Sequence, residues 1–424
     1  MNILLLGGGG REHALAWRLA RSPRLKRLYA LPGSDGMRPL AECLAGDSCD
    51  AAAVVAAAAR QRIDLVVVGP EAPLAAGVSD ALRAAGVAVF GPSRIAAQLE
   101  TSKFFAKRFM QRHHIPTAGF MLCDSLAEAE RALVRFPLPV VLKADGLAAG
   151  KGVLIAATQA EARAALAALF SGHLVGDAGR RVVIEECLRG PELSLLALCD
   201  GERARLLPPA RDHKRVGEGD SGPNTGGMGA ISDDALLSPA LADQVRQEVI
   251  EPVLAGMAEQ QAPFQGVLYC GLMLTPAGPR VLEFNARFGD PETQPLMLRC
   301  DGDLAGALLA AAQGALAPAS VPAFSPEPAA CVVLAAQGYP GPYARDRVIT
   351  GLEEVAAAGE AIVFHAGTRF AEGAWRTTGG RVLAVAARAA TLDAALARCY
   401  AAAGQIHFQG MHYRRDIGRT LAGA

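Results

Sequence analysis

The sequence predicts a multidomain protein of the α/β and α+β classes, with a parallel sheet first and mixed units after it. Three observations carry the prediction. Residues 1 to about 100 alternate short apolar runs with helical segments, the pattern of a parallel sheet covered on both faces. A glycine-rich stretch with a lysine at each end joins two short strands, Val140–Lys143 and Val153–Ile155. A proline-rich linker from Ala317 to Pro328 precedes a fresh series of strands. The 424-residue chain is too long for one ordinary core. The expected division is 1–100, 101–325 with a lid lobe at about 121–190, and 326–424.

In chain order, Ile3–Leu6 is the first strand and Glu12–Arg21 a helix, with Gly7 to Gly10 and Arg11 between them. Glycines at a helix start let backbone N–H groups approach a phosphate. Glu12 stands where a dinucleotide fingerprint needs its third glycine, and no acid closes a second strand. The turn therefore reads as a phosphate site on a Rossmann-like sheet and not as a NAD site. Strands Leu65–Val68 and Val87–Phe90 end in Gly69-Pro70-Glu71 and Gly91-Pro92-Ser93, at the carboxyl end where such sheets bind ligands. Lys103 opens a helix that stops before Ile115-Pro116. The stretch Asp145 to Gly152 is not a Walker A loop: Asp145 replaces the first glycine, no Ser or Thr follows Lys151, and both flanks are strands. It reads as a hairpin lid over polyphosphate, with Lys143 and Lys151 at its ends. The strand Arg181–Ile184 runs into Glu185-Glu186-Cys187-Leu188, an open edge able to meet an adenine, with Glu192 near enough for ribose hydroxyls.

The richest stretch is Val281 to Gln294. A strand period of two sends Glu283, Asn285 and Arg287 to one face and Leu282, Phe284 and Ala286 to the other. A carboxylate and an amide two positions apart suit Mg2+, which leaves its other positions to phosphate oxygens and water. Arg287 would meet an anion beside the metal. After the linker, strands Ala330–Ala335, Ile362–Phe364 and Val382–Ala386 and a helix Leu392–Ala403 make a small α+β domain, in which His365, His407 and His412 read as structural.

Composition bounds the function. Forty-two basic residues balance 42 acidic ones, so the electrostatic footprint of a nucleic-acid binder is missing. No apolar run approaches the ~18 residues of a membrane helix, and no export signal is visible. Nine scattered cysteines without a Cys-x-x-Cys pair read as buried thiols of a reducing compartment, so a cytoplasmic protein is expected.

Lys103, Lys143, the Gly146–Gly152 hairpin, Glu185 to Leu188, Glu192, Glu283 and Asn285 together resemble the ATP-grasp fold, in which two α+β lobes hold ATP. Within it the chain is similar to the glycinamide ribonucleotide synthetase (phosphoribosylamine–glycine ligase) family. The shared motifs are Gly9 to Ala14, Val68 to Glu71, Asp212 to Arg215, Gly222 to Gly229, Arg287 to Gln294, Phe364 to Thr368, Gly379 to Leu383 and Tyr413 to Gly418. The resemblance implies an ATP-dependent C–N ligase of purine synthesis that activates glycine as glycyl phosphate and transfers it to 5-phosphoribosylamine. It implies Mg2+ or Mn2+ on Glu283 and Asn285, and phosphates on Lys103, Lys143 and Lys151 with Gly150 and Gly152. Adenine would lie along Glu185, Glu186 and Leu188, with ribose on Glu192. Arg287, with Gly289 and Asp290 beyond it, would hold the glycine carboxylate or the acyl phosphate. Asp212 and the N–H-rich loop Asn224, Thr225, Gly226, Gly227 and Met228 would floor the acceptor site. Gly9, Gly10 and Arg11 would take the acceptor's phosphate, and Gly69, Pro70 and Glu71 its ribose. Arg287, Asp212 and Lys151 are the implied catalytic set, in a monomer or weak homo-oligomer acting on small molecules.

The chain departs from the family pattern at Arg211, where Gln is common, at Ile231-Ser232-Asp233 in place of Tyr-Ser-Pro, and at Cys270 in place of Ala. Arg211 bears on the shape of the acceptor site. The strand Val267–Leu274 offers no second metal carboxylate. Another ATP-grasp ligase or carboxylase would share Lys143, Lys151, Glu283 and Asn285 but not the Pro223–Gly229 loop beside Arg287–Gln294. A non-enzymatic or NAD-linked binding protein would need no lysine-flanked lid.

Overall fold

The computed structural model describes residues 1–146, 152–172, 174 and 176–419. Strands β1 (Asn2–Gly7), β2 (Arg27–Pro32), β3 (Glu42–Cys43), β4 (Leu65–Val68) and β5 (Ala88–Phe90) pair in parallel in the order β3-β2-β1-β4-β5. Ile3 to Leu6 and Leu65 to Val68 are buried throughout, because both faces of the sheet are covered. The order reverses between β1 and β4, so the loops Gly8 to Arg11 and Gly69 to Glu71 open side by side at the switch point. The first helix runs Gly10–Leu19, two residues earlier than the periodicity predicts. Its start is set by a cap the pattern does not show: Gly9 N–H donates to Glu12 Oε2 at 2.8 Å.

A four-stranded antiparallel sheet follows: β6 (Phe120–Cys123), β7 (Val140–Ala144), β8 (Val153–Ala156) and β9 (Val182–Glu186), in the order β6-β9-β7-β8. Val140, Leu142 and Ala144 alternate into a core shared with the helices Leu126–Leu133 and Gln159–Phe170. The period of two turns Val141 and Lys143 to the opposite face. Lys143 lies opposite Val153, so β7 and β8 are the arms of the expected hairpin, whose residues 147–151 lie outside the described part of the chain. The open edge expected after Arg181 is not there. β9 is an inner strand, bonded to β6 and β7 on its two sides, and only Cys187 and Leu188 continue past the pairing.

Next come β10 (Glu192–Asp200), β11 (Ala204–Leu206), β12 (Arg211–Asp212), β13 (Arg215–Gly217), β14 (Ser221–Asn224), β15 (Gly229–Ser232), β16 (Gln265–Thr275) and β17 (Gly278–Asn285). β11-β10-β16-β17 make an antiparallel sheet, and β13-β14 a small ribbon. The last group is β18 (Ala329–Ala335), β19 (Val348–Ile349), β20 (Ile362–His365), β21 (Thr368–Ala371), β22 (Ala374–Thr377) and β23 (Arg381–Arg388). Its main sheet has the order β12-β15-β18-β23-β20, so two strands from before the proline-rich linker complete it. Among the described residues, no helix is long and apolar enough to cross a membrane.

Candidate active site

Two adjoining cavities lie where these units meet. One, of about 590 Å3, is walled by Arg11, Pro70 and Glu71 of the parallel sheet, by Glu283 to Arg287, and by Tyr339 and Arg381. The other, of about 410 Å3, lies between the lid sheet and β10, β16 and β17. Lys143, Glu185, Asp212, Lys214 and Glu283, with Val153, Thr225 and Leu282, border both cavities and form their common boundary.

The smaller cavity has apolar walls on opposite sides. Val141, Val153 and Ile155 come from the lid sheet, and Met273 and Leu282 from the facing sheet. Glu186, Leu188 and Glu192 are at its rim. A β-bulge places Leu282 there: Gly271 pairs with Glu283 and Leu272 with Val281, leaving Leu282 as the extra residue. Strict alternation had sent it to the core face. Lys143 Nζ donates to the Leu282 carbonyl at 2.9 Å, taking up the acceptor that the bulge removes from the ladder.

Glu185 does not present its carboxylate to this cavity's rim. It is 1% exposed and pairs with Lys143 at 2.9 Å and Lys107 at 3.1 Å. It therefore fixes Lys143, which borders both cavities, from behind. Burial lowers the Lys107 pKa to about 8 against the opposing pull of Glu185. Burial also lowers that of Lys103, which borders the larger cavity, and Glu283 opposes the shift. Gly152 is on the same wall, whereas Lys151 and Gly150 lie outside the described residues.

Glu283 is held ionised. Burial works against its charge, but Lys214, Lys143, Lys103 and Arg287 together bring its pKa below the ordinary value. Asn285 donates through its amide nitrogen to Glu100 Oε1 at 3.1 Å and Phe284 O at 3.3 Å, which turns the amide oxygen the other way. Two oxygen donors of the kind that hard divalent cations take thus come from one strand face. Among the described residues, no group of three or more His, Cys, Asp or Glu side chains is arranged to hold a metal ion.

Lys214 is central to a cluster rich in acids, 3.1 Å from Glu192 and 4.0 Å from both Asp212 and Glu283. Three carboxylates thus stand around one ammonium. Burial pushes Asp212 up to about 8; Lys214 opposes this, and Glu292, Glu192 and Glu283 add to it. Lys214 stays charged well above its usual range despite burial, owing to Asp212 and Glu192. Behind them Glu292, 3% exposed, accepts from Tyr269 OH at 2.9 Å and Ser194 Oγ at 3.2 Å.

In the larger cavity Arg287 is ion-paired with Glu100 at 2.7 Å and Glu71 at 3.4 Å. The contact to Glu71 is made by Nε, and that to Glu100 by a terminal nitrogen. Glu100 also accepts from Ala286 N at 2.7 Å, which fixes the strand end that carries the arginine. Asp290 borders the cavity and is bonded to Gln294 and Arg381, each at 2.8 Å.

Several expected binding residues are elsewhere. Met228 is fully buried in the core and borders neither cavity. The loop around it has no spare amides: Thr225 N donates to Lys214 O, Gly226 N to Tyr339 OH, Gly227 N to Thr225 Oγ1 and Met228 N to His213 O. Thr225 and Gly226 border the larger cavity, and Asn224 and Thr225 the smaller. The Gly9 amide is occupied by Glu12, and Gly10 packs against Gln294 and Ala366 of other units. A side chain at Gly69 would collide with Glu12, so that glycine makes room for the capping carboxylate. Of the first turn, Arg11 alone borders the cavity, donating to Glu12 at 2.6 Å and Phe288 O at 3.1 Å. Arg211 donates to Glu192 O at 3.1 Å and borders the smaller cavity, so this departure bears on that side and not on the larger one.

Lys107, Glu100, Lys214, Tyr269 and Glu292 were not singled out from sequence. Lys107 had a legible signal, four residues after Lys103 and so on the same helix face. Glu100 had none, because its partners are nearly two hundred residues away.

Comparison with known proteins places this architecture. The model of the phosphoribosylglycinamide synthetase N domain matches residues 1–100, that of its ATP-grasp (A) domain residues 101–293, and that of its C domain residues 329–420. A phosphoribosylamine–glycine ligase of Mesorhizobium japonicum is 51% identical over 99% of this chain and 98% of its own length. That of Phenylobacterium zucineum is 50% identical over all of both chains. Among solved structures, the phosphoribosylamine–glycine ligase of Thermotoga maritima superposes with a TM-score of 0.86 at 34% identity, covering 99% of this chain and 100% of that one. A Campylobacter jejuni biotin carboxylase in complex with an ATP analogue reaches 0.72 at 15% identity, covering 97% and 92%, which is likeness of fold alone. From the parallel sheet through the two cavities to the last sheet, the chain belongs to the phosphoribosylglycinamide synthetase family.

Proposed function

We propose that this chain joins glycine to 5-phosphoribosylamine at the expense of ATP, giving glycinamide ribonucleotide, ADP and phosphate in purine synthesis. One observation carries the reading: Glu283, ionised, lies on the boundary shared by an apolar-walled slot and a cavity with Arg287 on its wall. A nucleotide in the slot would direct its terminal phosphate toward that boundary, where an amino acid carboxylate held by Arg287 meets it.

Activation comes first. A carboxylate oxygen of glycine attacks the γ-phosphorus, the bond to the ADP oxygen breaks, and glycyl phosphate forms. Catalysis of such a transfer is mostly positioning and charge neutralisation. Lys103 and Lys143 supply positive charge, and Lys151 is assigned the same role from the lid. The guanidinium of Arg287, on the wall of the larger cavity, is assigned the carboxylate or the acyl phosphate. Glu283 and Asn285 would hold Mg2+ or Mn2+, which supplies charge neutralisation across the nucleotide phosphates. In the second step the amine nitrogen of phosphoribosylamine attacks the acyl carbon and phosphate departs. The nitrogen's proton is assigned to Asp212, which borders both cavities. Arg11 and Glu71 frame the space for the ribosyl phosphate.

In this reading residues 1–100 serve the acceptor, 101–325 the nucleotide, and 326–424 close the acceptor side. The nine free thiols suit a reducing cytoplasm. ADP release with glycine and phosphoribosylamine omitted in turn tests the proposal. Turnover must require both, and ATP hydrolysis indifferent to glycine would sink it.

A further inference from the structure

Arg381, within the Gly379–Leu383 motif, joins two segments of the site from the last domain. It opens β23 and is largely buried. One guanidinium nitrogen donates to the Asp290 carbonyl at 2.8 Å and also to the Gly226 carbonyl; the other donates to Asp290 Oδ2 at 2.8 Å. The two segments so bridged are the 224–229 loop and the 287–294 turn. They also meet where Gly227 faces the Pro291 ring with no space for a side chain between them. The same domain holds the other side of the Gly226 peptide, since Gly226 N donates to Tyr339 OH at 2.9 Å. Tyr339, Pro340, Tyr343 and Arg381 border the larger cavity. Among the described residues, Arg419 alone represents the last domain in the smaller one.

We propose that Arg381, assisted by Tyr339, is a positioning residue for the acceptor half-reaction: it clamps the 224–229 loop to the 287–294 turn and so sets the wall against which the amine substrate is placed. This rests on the functional reading above. A planar fork reaching acceptors on two segments is a task for arginine, and a lysine ammonium keeps the charge without the reach. Because Arg381 and Tyr339 border the larger cavity and not the smaller, their loss should fall chiefly on the acceptor.

The test uses the full chain with Arg381→Lys and Tyr339→Phe, read by steady-state kinetics and by hydrogen–deuterium exchange without ligands. For Arg381→Lys, kcat/KM for phosphoribosylamine should fall about 30-fold while KM for ATP stays within about twofold. Amide exchange in 224–229 and 289–292 should rise about tenfold or more, with β9 and β10 unchanged. Tyr339→Phe should act in the same direction but less, chiefly at the Gly226 amide. Equal losses toward all three substrates, or unaltered exchange in both variants, would overturn the clamp. Wild-type protein inactive with glycine and phosphoribosylamine would refute the functional reading instead, and the exchange measurement would still decide the clamp.

Discussion

Glu283 and Cys270 lie on neighbouring strands of one sheet and make opposite predictions. Glu283 borders both cavities and faces three lysines and an arginine. Glu283→Gln keeps the shape and removes the charge, so metal-dependent kcat should fall by at least about 100-fold with the thermal midpoint nearly unchanged. Cys270 is fully buried in the core. Cys270→Ala should leave kcat and KM unaltered and cost less than about 2 kcal/mol in urea unfolding. Reversed outcomes would discard both assignments. The face of Glu283, Asn285 and Arg287 was legible because a strand's period of two can be read locally. The bulge at Leu282 was not, since it depends on the register against β16. Nor was the role of Glu185: whether β9 is edge or interior depends on partners 38 or more residues away.

At the scale of elements, most strands and helices were legible because apolar runs bounded by glycine and proline leave few alternatives. Their couplings were hidden, and the link between the Lys103–Arg112 helix and the lid arm is the clearest case. Ser102 caps that helix by accepting from Phe105 N at 3.1 Å, and Ser102 Oγ donates in turn to Asp145 Oδ1 at 3.0 Å. Phe104 N donates to the same Asp145 oxygen at 3.2 Å, and Arg181 pairs with the carboxylate. The residue that rules out a Walker A loop thus ties the root of the lid to a helix N-terminus, where negative charge is favoured. Asp145→Ala should lower stability by about 1–2 kcal/mol in urea unfolding. The same variant should raise KM for ATP about fivefold through a poorly anchored lid, with KM for glycine unchanged. An unaltered KM for ATP would mean that the tie is structural only.

At the scale of the molecule, the first and last sheets meet through a column of rings. His13 stacks on His365 at 5.7 Å between centroids, and His365 lies 4.2 Å from Trp375. His13 Nδ1 accepts from His365 N at 2.9 Å, and the His365 ring bonds to Thr368. Burial lowers His13 to about 3 and His365 to about 4, with Asp35 resisting the second shift. In the folded state these rings bind fewer protons than in the unfolded chain, so stability is full above about pH 6.5 and is lost as pH falls toward 4. His365→Phe should keep the packing and make that acid limb shallower by about 1.4 kcal/mol per pH unit, measured as urea stability from pH 7 to 4.5. An unchanged limb would assign the acid sensitivity to other groups. The resemblance in motif marked His365 without saying why; its place between two domains supplies the reason. The last sheet carries another consequence. Since β12 and β15 are completed by β18, more than 90 residues downstream, the middle of the chain cannot settle while it is being synthesised. All five strands of the parallel sheet lie within the first 100 residues, but the strands flanking the 224–229 loop keep unpaired edges until residues 329–335 emerge. Slow translation through the proline-rich linker would prolong that exposure, and a chaperone that shields bare strands would matter most in that interval.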